Sequence, residues 1–313
     1  MIFCPKCHTQ LVENAKFCHS CGANIDIPLS NCPSCDKKNP ADAQFCYGCG
    51  SPMSPIVLTK PLIDKSKYDF QNVDTLVEQV KTLFFEELKR LSSWMSPEKV
   101  DEYLKAVLTK NFYQTVDRRA KQIAEELAEL NYKKTTPSVF ELEKHLTNAV
   151  SSLAMYHIVY NCKELNPIVL SEKIIKYERS IRGHVDVKQM VFDYLDLTAE
   201  KEKFYTDFVK MPFNTLQNAA KSFVFAAKDE FIFLISDSTF LGSGKEGFAV
   251  TEFGLYWKAP FEKPQKIYFH NIARLEKHKT WLKVNNRFFN INPSLNIKML
   301  FLLEKLKNIY SDT

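Results

Sequence analysis

The 313-residue chain is poor in glycine, with eight residues, and it contains no long apolar run. A membrane-spanning helix needs roughly 20 consecutive apolar residues, so we predict no transmembrane segment. The first residues, Met1 to Cys7, lack the charged region and apolar core of a signal peptide. We therefore expect a cytoplasmic protein. The hydrophobic fraction of 45% is typical of globular proteins and excludes wholesale disorder, and the length predicts two or three domains.

Eight of the nine cysteines form two copies of one pattern, offset by 28 residues. Each copy contains two Cys-x-x-Cys pairs separated by ten residues. Two such pairs can place four sulfur atoms around one Zn²⁺ in a tetrahedron. The sequence therefore predicts two zinc ions. Their ligands are expected to be Cys4, Cys7, Cys18 and Cys21 in one site, and Cys32, Cys35, Cys46 and Cys49 in the other.

Other arrangements of these cysteines are less favoured. A disulfide framework is typical of secreted domains, which the N-terminus does not indicate. A cross-braced arrangement would join Cys4 and Cys7 to Cys32 and Cys35, whereas the duplication favours one site per copy. His8 or His19 could replace a cysteine, but the second copy has Asp36 and Tyr47 at those positions. Four cysteine ligands leave no open position for water, which indicates a structural rather than a catalytic site.

Residues 1–50 resemble a double zinc ribbon, a module found at the N-termini of many bacterial and archaeal proteins. The resemblance implies a small metal-stabilised module that contacts protein or nucleic acid, and it implies no activity. Nucleic acid is the less favoured partner. The formal net charge of +5 lies entirely in residues 221–313, with 14 basic and 9 acidic side chains, and two zinc–thiolate sites would lower it to near +1. Nucleic-acid binding usually relies on a large basic surface.

The middle of the chain has helical periodicity. Residues 51–69 are predicted to be a linker, and residues 70–212 an all-α domain. Apolar residues recur at helical spacing from Val73, and Ser138 with Glu141 forms a capping box that opens a helix running to Cys162. Further helices are expected from Ser96 and over 120–130, 168–177, 186–197 and 199–209.

The helical domain has few candidates for chemistry. Glu141, His145 and His157 do not form a Glu-x-x-His motif, so we expect no catalytic metal there. Cys162 lies in an apolar segment and is predicted to be buried and inert. We therefore expect no enzyme activity, and the less favoured alternative is an uncharacterised activity in this domain.

The last third has short strand-like runs and then a helix. Half of the glycines lie between residues 242 and 254, and 15 of the 24 phenylalanines follow residue 203. Strands are predicted over 222–227, 230–236, 247–251, 254–258, 265–269, 281–284 and 287–291, followed by a helix from Pro293. Residues 242–247 resemble a phosphate-binding loop but lack the required residues at Thr239 and Glu246, so we predict a flexible hairpin.

The run from Gly244 to Lys258 is similar to a segment of bacterial pleckstrin-homology-like (PH-like) domains of the YokE-like group. The resemblance covers about 90 residues and implies a PH-like β-barrel capped by a C-terminal helix, used for binding and assembly, which we place at residues 213–313. It carries over no site residues. A cluster of basic residues could form an anionic-partner patch or a solvated loop: Arg274, Lys277, His278, Lys279, Lys283 and Arg287.

These features predict a multidomain α+β protein with a double zinc ribbon, a helical bundle and a PH-like barrel. The leading hypothesis is a non-enzymatic adaptor that recognises protein partners. Nucleic-acid binding through the ribbons and peripheral association with a membrane surface are the alternatives.

Overall fold

The computed structural model divides the chain into two compact units, Met1–Lys65 and Ser66–Thr313. In the second unit it describes residues 66–311 apart from 110–111, 133–136 and 181–182. In the first unit it describes residues 2–4, 7, 9–12, 15–22, 29–32, 35–40, 43, 46, 48 and 53. The predicted linker 51–69 therefore lies outside the described residues, apart from residue 53 and residues 66–69.

The first unit contains two short antiparallel hairpins. Strand β1 (Ile2–Phe3) pairs with β2 (Gln10–Leu11), and β3 (Leu29–Asn31) pairs with β4 (Lys38–Pro40). The connection in each hairpin contains one Cys-x-x-Cys pair. This is the local geometry that brings two sulfur atoms to the same side of a turn.

The second unit begins with helices, as predicted. They are α1 (Val73–Ser92), α2 (Pro97–Thr109), α3 (Tyr113–Tyr132), α4 (Val139–Tyr156) and α5 (Val187–Leu195). A π-helical turn, His157–Asn161, continues α4, and a 3₁₀ helix spans Glu172–Tyr177. Helix α1 packs against both α3 and α4. The capping box at Ser138 and Glu141 is present and opens α4.

Two antiparallel sheets and a final helix follow. The first sheet has the order β5 (Lys203–Tyr205), β6 (Ile232–Asp237), β7 (Gly247–Thr251), β8 (Gly254–Lys258) and β9 (Gln265–Tyr268). The second has the order β10 (Leu275–Lys277), β11 (Leu282–Val284) and β12 (Arg287–Phe289). Helix α6 (Phe213–Ser222) lies between β5 and β6 in sequence, and α7 (Pro293–Tyr310) ends the fold.

Strands β6, β7 and β8 of the first sheet are buried on both faces because different layers cover them. Side chains alternate between the faces of a strand. On β6, Leu234 contacts the main core, whereas Ile235 packs with Ala219 and Phe223 beside α6. This two-sided burial explains the continuous apolar runs in β6, β7 and β8.

The mixed α+β class, the helical middle and the C-terminal sheets are confirmed, but the closed barrel is wrong. Within the described residues, β9 and β10 belong to different sheets, and a 3₁₀ turn at Phe269–Asn271 separates them. A turn of this kind breaks the strand-to-strand hydrogen bonding that closure requires.

One hydrophobic core runs from Phe70 in the helical segment to Tyr310 in α7. The division at residues 212 and 213 therefore does not separate two cores, and independent domains there stay a prediction.

Three local predictions also differ from the structure. The segment predicted as strand 222–227 begins with the last residue of α6 and contains no strand, and the segment predicted as helix 199–209 contains β5. The segment predicted as helix 168–177 is 3₁₀-helical only over Glu172–Tyr177. No helix among the described residues combines the length and the apolar character needed to cross a membrane.

Candidate metal centre

The first cysteine cluster is complete. The sulfur atoms of Cys4, Cys7, Cys18 and Cys21 all lie within 4.8 Å of one another, and the Cys4–Cys21 and Cys7–Cys18 Sγ–Sγ distances are both 3.5 Å. A disulfide bond would need about 2.05 Å. Four thiolates at a Zn–S distance of about 2.3 Å would be separated by about 3.8 Å in a tetrahedron. The donor set therefore fits zinc.

The second cluster has the same form in the residues that are described. The sulfur atoms of Cys32, Cys35 and Cys46 lie within 4.8 Å of one another, whereas Cys49 lies outside the described residues. The Cys35–Cys46 Sγ–Sγ distance is 3.5 Å. The backbone N–H of Gly48 donates to Cys46 Sγ at 3.2 Å, a contact that favours the charged thiolate.

The backbone repeats together with the cysteines. The N–H of Cys4 donates to the Thr9 carbonyl at 2.9 Å, and the N–H of Cys32 donates to the Lys37 carbonyl at 2.9 Å. These two bonds are offset by the same 28 residues as the sequence pattern. The duplication is therefore structural as well as sequential.

The two clusters identify which cysteines belong together. Cys4 and Cys7 meet Cys18 and Cys21, and Cys32 meets Cys46 of its own copy. The clusters thus follow the predicted pairing within each copy and not the cross-braced alternative. His19 belongs to neither group of ligand atoms among the described residues, and His8 lies outside them.

Cys7 shows how the local structure prepares a ligand. Its thiol is 3.2 Å from the Thr9 hydroxyl. Hydrogen bonds from the Thr9 side chain and backbone, and from Cys21, lower the pKa of Cys7 to about 6. The thiolate is the form that binds metal, so this shift favours coordination at neutral pH.

The predicted anionic-partner patch is divided between two faces of the second sheet. Lys277 is opposite Leu282 in the ladder, so it lies on the other face from Lys283. The Lys277 ammonium lies 4.6 Å from the centroid of the Trp94 ring, and burial lowers its pKa. Lys283 lies instead beside Trp281, with its ammonium 5.6 Å from that ring.

The remaining members of the patch have local partners. Arg274 forms an ion pair with Glu276, and Arg287 donates to the backbone carbonyl of Lys266. His278 stacks on the Trp281 ring with centroids 3.9 Å apart. Lys279 contributes its backbone carbonyl, which accepts a bond from Lys277 at 3.0 Å. The structure therefore places three of the six residues in the strands of the second sheet and three in the segments next to them, and it does not gather their charges at one point.

In the helical segment, the sequence analysis missed a contact between His157 and Cys162. Cys162 is buried, as predicted, and its Sγ lies 3.0 Å from His157 Nε2. The π-helical turn brings residues five apart together, whereas an ordinary helix brings residues four apart together. No one-dimensional pattern marks such a turn.

The hydrogen bonds around His157 argue against a catalytic pair. Nε2 lies 3.1 Å from the Tyr103 carbonyl, which can only accept, so Nε2 carries the proton. Nδ1 lies 3.3 Å from Asn161 Nδ2, from which it accepts. Burial lowers the pKa of His157 to about 4. The imidazole is thus neutral at pH 7, and its protonated Nε2 cannot take a proton from Cys162.

The glycine-rich segment 242–247 connects β6 to β7, as expected of a hairpin. Helix α6 holds it in place: Thr215 Oγ1 donates to the Gly242 carbonyl at 3.0 Å, and Asn218 Nδ2 donates to the Ser243 carbonyl at 2.8 Å. Gly244 has a φ of 70°, and a Cβ there would collide with the Thr215 carbonyl. The glycine therefore serves close packing of the hairpin against α6, and the flexibility of the hairpin stays a prediction.

Comparison with known proteins identifies the N-terminal module. A search of the curated proteins and a search of the solved structures gave no significant match to the chain. Residues 4–50 match the family model of the double zinc ribbon, the same segment that contains both cysteine clusters.

Proposed function

We propose that this protein is a non-enzymatic adaptor in which two structural zinc ions hold a pair of ribbons that recognise protein partners in the cytoplasm. The observation that carries the proposal is the first cysteine cluster. Its four sulfur atoms supply a complete tetrahedral ligand set, so no position remains at which a zinc-bound water could attack a substrate. A metal held in this way stabilises a surface and does not catalyse a reaction.

The C-terminal strands and helix would form the second recognition module. The four strands β6 to β9, the three strands β10 to β12 and the closing helix α7 follow one another in the order expected of a PH-like domain. This order supports the resemblance to the YokE-like group. Strand β5, which extends the first sheet at its β6 edge, is an addition to that arrangement.

Affinity capture with the full-length chain tests the adaptor function. We would compare the native chain with Cys4→Ser/Cys32→Ser, in which each ribbon loses a ligand, and with Cys162→Ser as a matched control. A defined set of proteins that is enriched with the native chain and the control, and lost with the ribbon variant, is the expected result. The same proteins with all three chains would contradict a docking role for the ribbons. Recovery of nucleic acid instead would favour the alternative partner.

A second candidate function, association with an anionic membrane surface, is supported by the apolar loop tips of the first sheet. In the ladder, Gly247 is opposite both Asp237 and Lys258. The loops 238–246 and 259–264 therefore leave the sheet at the same end of its strands. Their tips carry Phe240, which is 100% exposed, and Phe261, which is equally exposed. Aromatic side chains that project singly beside exposed lysines suit insertion between lipid head groups.

Vesicle sedimentation distinguishes this second candidate. We expect the chain to sediment with vesicles that contain phosphatidylserine and not with phosphatidylcholine vesicles, because the lysines attract anionic head groups. Phe240→Ser/Phe261→Ser should abolish the interaction. The control is Val169→Ser, at an apolar residue that is 84% exposed, and it should not change the sedimentation. Equal sedimentation of all three chains would exclude insertion of these loops.

A further inference from the structure

Helix α7 buries three charged side chains, and one of them lacks an ionic partner. Lys298 pairs with Glu200 at 2.6 Å, and Glu304 pairs with Arg90 at 2.7 Å. Lys305 is 2% exposed, yet within the described part of the chain no carboxylate lies at ion-pair distance from its ammonium. Its one hydrogen bond runs to the backbone carbonyl of Glu178 at 3.0 Å. Buried charges are normally paired, because an unpaired one is costly to remove from water.

Lys305 is one of the residues that line a cleft. The cleft has a volume of about 240 Å³ and lies between α3, α4, α7 and the residues that follow the 3₁₀ helix. Asn308, one turn further along α7, lines the same cleft and is 8% exposed. Its Nδ2 is a buried donor for which the described residues provide no acceptor. An ammonium without a carboxylate partner and an unused amide donor therefore belong to residues that line one cavity.

The other charges of the cleft neutralise one another. Arg119 pairs with Glu178 at 2.5 Å, and Arg179 pairs with Glu126 at the rim. His145, on α4, is the remaining titratable group in the lining. The uncompensated charge of the cavity is thus the positive charge of Lys305, which selects for an anion.

The remaining lining is apolar, which suits an organic ligand better than an inorganic ion. The apolar side chains of the cleft are Ile123, Leu127, Leu130, Ala149 and Ile309. Its volume is about 240 Å³. This space accommodates a carboxylate with a short hydrocarbon chain.

We propose that this cleft binds a small organic acid, whose carboxylate pairs with the Lys305 ammonium and accepts a hydrogen bond from Asn308 Nδ2. The hydrocarbon part of the acid packs against the apolar side chains of α3. The site is independent of the zinc ribbons and of the proposed adaptor role, since every residue that forms it lies in the second compact unit.

Isothermal titration calorimetry on the full-length chain tests the site with three probes: sodium hexanoate, 1-hexanol and inorganic phosphate. We expect saturable binding of hexanoate with a stoichiometry of one, and no comparable binding of the uncharged alcohol or of phosphate. Lys305→Met, which keeps the length of the side chain and removes its charge, should weaken hexanoate binding at least tenfold. Asn308→Leu should weaken it by a smaller factor.

The control is Lys307→Met, which removes a positive charge from the same helix at a residue outside the cleft lining. It should leave hexanoate binding unchanged. Hexanoate binding that is absent, or that is equal in the native chain and Lys305→Met, would overturn the proposal. Tight binding of phosphate without hexanoate would overturn the assigned ligand class. Circular dichroism of each variant establishes whether the protein is folded. If Lys305→Met does not fold, hexanoate binding by Asn308→Leu tests the site instead.

Discussion

The two compact units are stabilised in different ways. In the described part of the first unit, the buried apolar cluster consists of Cys4, Leu11 and Cys18, with Ala15 packed against it. Two of these residues, Cys4 and Cys18, belong to the first cysteine cluster. The second unit instead has a continuous core that extends from α1 to α7. Because the core is small in the described part of the first unit, we expect this unit to depend on metal coordination for its folding, whereas the larger unit depends on packing.

The largest expected effect is the loss of a zinc ligand. We expect Cys4→Ser to unfold the first ribbon and to reduce the zinc content from two ions to one, because structural zinc contributes roughly 10–16 kcal/mol of apparent free energy. Native mass spectrometry would measure the zinc content. Hydrogen exchange would show whether residues 66–313 keep their protection, as expected for a separate unit. A loss of protection in both units would contradict their separate stabilisation. An unchanged zinc content would contradict the role of Cys4 as a ligand.

The next effect concerns the shared core of the second unit. Leu302 of α7 is fully buried, and Leu302→Ala should lower the free energy of unfolding by about 2–5 kcal/mol. Because helices and strands share this core, protection should fall in α1 and in β8 together. Urea unfolding and hydrogen exchange would measure this, with the exposed Val169→Ala as control. A loss confined to the strands would instead indicate independent helical and sheet domains.

Lys305 should make the stability of the second unit depend on pH. Burial lowers its pKa from 10.5 to about 8. Between these values the unfolded chain binds more protons than the folded chain, so the free energy of unfolding should rise with pH over this range. The shift corresponds to about 3 kcal/mol. The measurement is the free energy of unfolding as a function of pH, for the native chain and for Lys305→Met, and the difference between the two curves isolates this contribution. Identical curves would show that the ammonium is not desolvated.

The smallest effect concerns a helix cap. The Ser138 hydroxyl accepts a hydrogen bond from the Glu141 N–H, and Glu141 Oε2 accepts one from the Ser138 N–H at 2.7 Å. Ser138→Ala should lower the free energy of unfolding by about 1 kcal/mol. Ser54→Ala, in the segment predicted as a linker, is the matched control and should have no effect on thermal unfolding. Equal melting temperatures for native chain and Ser138→Ala would show that packing of α4 outweighs its cap.

Features that depend on residues close together in the chain could be predicted, whereas features that depend on tertiary contacts were missed. The cysteine spacing is local and duplicated, so the ligand clusters could be predicted, and the capping box at Ser138 is equally local. Helix α6 was missed because its short amphipathic stretch is stabilised by the sheet that it covers. The contact between His157 and Cys162 was missed because it depends on a π-helical turn that no spacing rule marks.

The sequence by itself determined the two cysteine clusters as far as they are described, the α+β class and the first residues of α1, α2 and α4, because each depends on residues close together in the chain. Only the tertiary structure decided that the sheets do not close into a barrel, and that the basic residues of the second sheet lie on opposite faces. It also decided that Lys305 is buried without an ionic partner beside a cleft. The physical reason is that strand pairing, burial and the loss of a counter-charge depend on segments that lie far apart in sequence.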